Sequence, residues 1–299
     1  MTIPLKISAA DLGTNTLKVT HATRLRQAEL TDMIHASDTV RLGFGIEQTG
    51  RIEQSRFDAC LDFLVQQEAV GRKYGSTVFT GVATEALRIA ANGEELLERI
   101  HAETAWQIDI ISGDREAHLT YLGLQDQVPA GDDCAIVDIG GGSTEVVVIR
   151  NGDVTLQASV PVGSGRLADR YFSDDPPGID AELMAIDAAR DSLSAWVAGQ
   201  SPVKFVMLAG GSGLFMNQLI EQLGNGLPFG PTELGDLATH LATVHSSDTV
   251  DRIGIPQARA LVLPASVAVA VAVMETFGSR QAQGVPSGIR MGLIREYQT

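Results

Sequence analysis

Asp11-Leu12-Gly13-Thr14-Asn15-Thr16 and Asp138-Ile139-Gly140-Gly141-Gly142-Ser143-Thr144 are the two stretches that decide the fold. Each follows an apolar run, Ile7 to Ala10 and Ala135 to Val137, and each leads into another, Leu17 to Thr20 and Val146 to Arg150. The same unit is therefore written twice: strand, Asp-x-Gly turn with hydroxyls, strand. A glycine-rich turn lets backbone N–H groups point at an anion without side-chain obstruction. Ser and Thr hydroxyls add donors, and the leading Asp is a hard oxygen ligand suited to Mg²⁺. The pattern points to phosphate chemistry.

Outward from these turns the chain alternates. Leu5 to Ala10, Leu17 to Thr23 and Thr31 to Val40 read as an antiparallel meander. Phe57, Leu61, Leu64, Val65 and Ala69 recur at helical spacing within Gln54 to Tyr74. A strand over Ser76 to Gly81, a helix over Glu94 to Glu103, a strand over Ile108 to Ile111 and a helix over Glu116 to Leu124 follow. Gln125 to Asp133 reads as a linker. The pattern then restarts: strands to Pro161, helices over Gly165 to Tyr171 and Ala181 to Trp196, and a buried strand over Val203 to Leu208. Ala209-Gly210-Gly211-Ser212-Gly213 closes that strand, and helices fill the remainder. The expected fold is α/β and duplicated, with actin-like (ribonuclease H-like) domains over 1–125 and 126–299 and a cleft between them. The C-terminal helix is expected to pack back on the first domain.

The 299 residues carry 37 acidic and 22 basic side chains, a net charge of −15, which argues against broad nucleic-acid binding. A local basic cluster and a metal still permit an anionic substrate. Two cysteines, Cys60 and Cys134, form neither a disulfide framework nor a metal pair. No secretory leader is expected, and Ala260 to Met274, interrupted by Pro264, reads as a core helix and not a membrane span. The expected location is cytoplasmic.

The motifs resemble the exopolyphosphatase/guanosine pentaphosphate phosphatase family in its short, two-domain form. Besides the two turns, the resemblance rests on Arg41-Leu42-Gly43, Ala83-Thr84-Glu85-Ala86-Leu87-Arg88 with Asn92, Ser112-Gly113-Asp114-Arg115-Glu116-Ala117, Ala209-Gly210-Gly211-Ser212 and Ser287-Gly288-Ile289-Arg290-Met291-Gly292-Leu293. They stand in the family's order and span nearly the whole chain. Arg115 departs from it, standing where acidic residues are common, and so does Leu261. The resemblance implies a Mg²⁺-dependent phosphoanhydride hydrolase in which Glu116 orients or deprotonates the attacking water, as a carboxylate can. It implies a homodimer.

By the same resemblance Asp138 is the leading metal residue, followed by Glu145. Asp11 acts on metal directly or through a water. Gly140, Gly141, Gly142, Ser143 and Thr144 wrap one phosphate, and Gly13, Thr14, Asn15 and Thr16 another. Gly210, Gly211 and Ser212 make a third contact or a plain strand-to-helix turn. Arg88 offers a bidentate fork to phosphate; the alternative is an ion pair with Glu85. Arg41, Arg166, Arg252 and Arg259 extend a basic track, and His118 lies one turn from Glu116. The first functional reading is removal of terminal orthophosphate from inorganic polyphosphate. The others are a pppGpp 5′-phosphohydrolase giving ppGpp, an actin-like kinase, and a non-catalytic sensor of polyphosphate or alarmone. No C-x₅-R or G-x-S-x-G nucleophile motif occurs, which favours direct water attack.

Overall fold

The computed structural model describes residues 4–25, 29–129, 131–197, 199–286 and 288–298. Ser287, which opens the closing glycine motif, lies outside them. The chain divides into two compact units, Met1–Asp126 with Gly288–Thr299, and Gln127–Ser287.

The first unit runs β1 (Leu5–Leu12), β2 (Leu17–Arg24), β3 (Leu30–Asp38), α1 (Ile46–Thr49), α2 (Gln54–Tyr74), β4 (Val78–Ala83), α3 (Glu85–Ile89), α4 (Gly93–Glu103), β5 (Gln107–Ile110) and α5 (Gly113–Leu124). The second runs β6 (Cys134–Ile139), β7 (Thr144–Arg150), β8 (Asp153–Val160), α6 (Ser164–Tyr171), α7 (Ile179–Val197), β9 (Phe205–Ala209), α8 (Gly210–Gln222), α9 (Pro231–Thr243), α10 (Ser246–Ile253), α11 (Gln257–Ala260), α12 (Leu263–Thr276) and β10 (Gln281–Val285). α13 (Ile289–Glu296) returns to the first unit.

The two sheets have orders β3-β2-β1-β4-β5 and β8-β7-β6-β9-β10. These are one topology used twice: an antiparallel meander of three strands, then two strands parallel to the first. That is the duplicated actin-like α/β fold. The repeat extends to register. Leu12 pairs with Leu17 across the first turn and Ile139 with Thr144 across the second, so each turn spans four residues.

Apolar strand faces build the cores. Ala10, Leu12, Leu17 and Val19 pack against Phe57, Leu61 and Leu64 of α2. In the second unit Val137, Val146 and Leu208 meet the Val/Ala-rich α12. The apolar run read over Ala260 to Met274 forms α12, preceded by the four-residue α11, and 72% of the most apolar window across the two is buried.

One buried carboxyl in this core is unpartnered. Glu182 of α7 is 3% exposed, and neither of its oxygens has a hydrogen-bond partner among the described residues. Burial lifts its pKa from 4.5 to about 8. Between those values the folded chain keeps a proton that the unfolded chain has released, so stability falls as pH rises through the window and levels off above it. Glu182→Gln keeps the shape without the charge. Its melting temperature should equal wild type at about pH 5 and exceed it near pH 9, by the equivalent of at least about 1 kcal/mol. An unchanged difference across that range would show that Glu182 ionises normally.

Candidate active site

In the first unit, Gly13 opens the turn where a Cβ would stand 2.9 Å from the Thr16 carbonyl. Behind the turn lies Arg41-Leu42-Gly43: Arg41 N–H donates to Asn15 O and Gly43 N–H to Thr14 O, both at 2.9 Å. Arg41 itself has φ 54°, a strained conformation for a residue with a side chain, of the kind that concentrates at functional sites. Asp11 and Lys18 are cross-strand partners, with Lys18 Nζ 3.8 Å from Asp11 Oδ2.

Glu116 and Arg88 meet in this unit. Ser112 caps α5 by accepting the Arg115 N–H, and Glu116 N–H donates to Ser112 O, which fixes the first helical turn. The Glu116 carboxylate is 6% exposed, and its Oε2 lies 3.9 Å from Arg88 Nη1. Arg88 Nη1 also donates to Ile111 O at 2.5 Å. Local spacing offered Arg88 an ion pair with Glu85; its guanidinium instead reaches Ile111 O and the Glu116 carboxylate at the start of α5. A buried carboxylate held beside a guanidinium can accept a proton next to a bound anion.

In the second unit Gly140 N–H donates to Ser143 O at 3.0 Å, closing the turn. Ser164 N–H donates to Gly140 O and Arg166 N–H to Gly141 O, so this turn is buttressed by the segment after β8 as the first is by the segment after β3. The hydroxyls face inward. Thr144 Oγ1 donates to Val162 O, and Ser143 Oγ donates to Glu145 Oε1 at 2.8 Å. What the turn leaves for an anion is backbone: the amides of the buried Gly141 and Gly142 take no protein acceptor among the described residues.

Glu145 is 2% exposed and pairs with Asp138 across β6 and β7, so both carboxylates stand on one face of the sheet. A second hydroxyl, Ser159 Oγ, holds Glu145 Oε1 at 2.7 Å. Oε2 faces the turn, 3.9 Å from where a Gly140 Cβ would be. Two hard carboxylates beside a glycine turn fit Mg²⁺, which takes one or two protein carboxylates and fills its other positions with water and substrate oxygen. No group of three His, Cys, Asp or Glu suited to a metal occurs among the described residues.

Gly210 and Gly211 open α8. Ser212 turns away, its hydroxyl 3.3 Å from Ser266 Oγ of α12. Arg259 sits against Gly211, with its guanidinium carbon 5.5 Å from the centre of the Phe215 ring. Burial lowers its pKa and Asp138 opposes that shift, so Arg259 is within electrostatic reach of the leading metal residue. In sequence Arg259 is only one of four arginines on a basic track, since a lone Arg before an apolar helix gives no sharper signal. Gly163 and Ser164 carry no sequence signal because they brace the turn, and Ser159 carries none because it only holds Glu145.

The sequence model of the Ppx/GppA phosphatase family matches residues 21–298. The chain belongs to that family. Among its relatives is Exopolyphosphatase 1 of Mycobacterium tuberculosis, 26% identical over 97% of this chain and 87% of the relative. A guanosine-5′-triphosphate,3′-diphosphate pyrophosphatase of Photobacterium profundum is also 26% identical, over 72% of this chain and 44% of its own length. Among solved structures, an exopolyphosphatase from Cytophaga hutchinsonii superposes with a TM-score of 0.85 at 21% identity, covering 97% of this chain and 96% of that one. The Ppx/GppA enzyme of Aquifex aeolicus gives 0.78 at 23% identity, covering 99% and 100%. These structures share the Ppx/GppA fold described above.

Proposed function

We propose that this Ppx/GppA chain is an exopolyphosphatase, a phosphoanhydride hydrolase that releases terminal orthophosphate from inorganic polyphosphate. The observation that carries the reading is the buried Glu116 carboxylate beside Arg88 on the capped first turn of α5. The relative named Exopolyphosphatase 1 matches over most of both chains, which favours polyphosphate over the nucleotide substrate of the relative matched over less than half its length.

Phosphoryl transfer to water needs charge neutralisation, positioning and an oriented nucleophile. Glu116 takes the proton of the attacking water, and Arg88 offers its guanidinium to phosphate oxygens. In the second unit the Gly141 and Gly142 amides bind phosphate oxygen, and the Ser143 and Ser159 hydroxyls fix Glu145. Asp138 and Glu145 would hold Mg²⁺, which when bound neutralises phosphate charge. Asp11, balanced by Lys18, orders the first turn.

The test is orthophosphate release from polyphosphate, pppGpp and ATP in parallel, across a Mg²⁺ titration. Release from polyphosphate that needs Mg²⁺ supports the reading. Faster release from pppGpp moves the substrate, and ATP loss that requires an added acceptor makes the chain a kinase. Asp138→Asn should raise the Mg²⁺ concentration for half-maximal rate by about tenfold or more, through loss of a charged ligand. An unchanged titration removes Asp138 from the metal.

A further inference from the structure

Arg115 and Glu116 are neighbours on α5 and, about 100° apart around the helix, they point in different directions. Glu116 meets Arg88, whereas Arg115 reaches α13. There its two terminal nitrogens grip both oxygens of Glu296, Nη1 to Oε1 at 3.0 Å and Nη2 to Oε2 in closer contact. His118 Nε2 lies 3.8 Å from the same carboxylate. Hydrogen bonding from Arg115 holds the Glu296 carboxyl below the usual range.

The helix that receives this fork is itself anchored. Arg24 Nη1 of β2 donates to the carbonyls of Ile294, Arg295 and Tyr297, and Arg290 Nη1 donates to Val19 O. The second half of α5 is also tied to α13: Arg295 Nη1 donates to Leu122 O at 2.7 Å, and a Cβ at Gly292 would stand 2.0 Å from Leu119 O. The fork holds the first half, the turn that carries Glu116. Both of its residues sit at the unfavourable end of a helix. Arg115 is in the positive first turn of α5, and Glu296 is the last residue of α13, at the negative end. Helix stability alone would choose the opposite charges, so the pair is accounted for by what it joins.

We infer that the Arg115–Glu296 fork is a positioning pair that fixes the first turn of α5 and thereby the Glu116 carboxylate beside Arg88. The inference rests on the role given to Glu116 above. It is tested in the full chain with Arg115→Ala, Glu296→Ala and the reversal Arg115→Glu/Glu296→Arg. Two readouts are taken: steady-state orthophosphate release from polyphosphate, and amide hydrogen exchange over residues 112–118. Each single substitution should lower kcat about tenfold, as small misplacements of reacting groups do, and leave KM within about twofold. Each should also speed exchange in the first turn. The reversal should restore both. Unchanged kcat in Arg115→Ala, or impaired singles that the reversal does not rescue, overturns the inference. A wild-type chain that releases no orthophosphate overturns the functional reading instead. In that case exchange alone decides the fork: faster in the singles and restored in the reversal upholds it, and unchanged exchange removes it.

Discussion

Glu116→Gln lowers orthophosphate release by roughly 10²–10⁴-fold, the usual contribution of general-base assistance, while the chain stays folded. The amide has the size and shape of the carboxylate but cannot take a proton from water. The first turn of α5 is tied by Ser112, by backbone bonds and by the Arg115–Glu296 fork, none of which the substitution touches. The melting temperature should therefore move little. KM should change less than kcat, because the Arg88 guanidinium remains to bind phosphate. Near-normal turnover in a folded Glu116→Gln chain would remove Glu116 from the chemistry and with it the mechanism proposed above.

The second large effect is expected at Gly163. Its φ is −145°, open to any residue, so the constraint is space and not torsion. An added Cβ would lie 2.5 Å from the Gly141 carbonyl carbon and 2.6 Å from Gly141 O and from the Gly142 carbonyl carbon. All three are backbone atoms of the second glycine turn, and none can swing aside as a side chain would. The turn or its buttress has to move, carrying the Ser164 and Arg166 amides with it. Gly163→Ala should cost about 1–3 kcal/mol of stability, as overpacking does. It should reduce kcat/KM for polyphosphate by about a hundredfold, since displaced amides no longer meet the phosphate. Gly226→Ala, where nothing lies within 4 Å, is the matched control and should behave as wild type. Wild-type kcat/KM in Gly163→Ala would place phosphate binding elsewhere than at the Gly141–Gly142 amides.

The sequence made the repeated strand–turn–strand unit legible because alternation and glycine punctuation are local signals. It also set α2 at its observed bounds, Gln54–Tyr74. β10 escaped it. Gln281-Ala282-Gln283-Gly284-Val285 has little strand character of its own and was absorbed into a helical remainder. It is a strand because it pairs in parallel with β9, and because Gly284 lets the α8 backbone at Gly213 approach to 2.1 Å of where a Cβ would be. That is a tertiary cause that no local window contains. α3 was missed for its length of five residues.

In the candidate site, the glycine turns and the Ser-Gly segment carry motifs that a sequence can show. The direction of their side chains was not readable. Ser143 and Thr144 look like phosphate donors in sequence, yet one orients Glu145 and the other ties the turn to Val162. Arg88 pairs with Glu116, 28 positions away in the chain and not with Glu85 one helical turn back. Lys18 and Glu145 hold equivalent places in the two repeats, and only the observed register makes that visible.

The return of α13 to the first unit has a consequence for synthesis. Residues 127–287 form one continuous stretch, whereas the unit that begins first also requires residues 288–299, which are made after the whole of the second. Domains emerging from a ribosome usually fold in the order they are made. Here the earlier half must wait, its β1–β2 surface lacking Ile294 and the carbonyls that Arg24 will hold, while the later half closes. Nascent chains stalled before residue 288 should thus protect the second unit from protease and leave the first open to it.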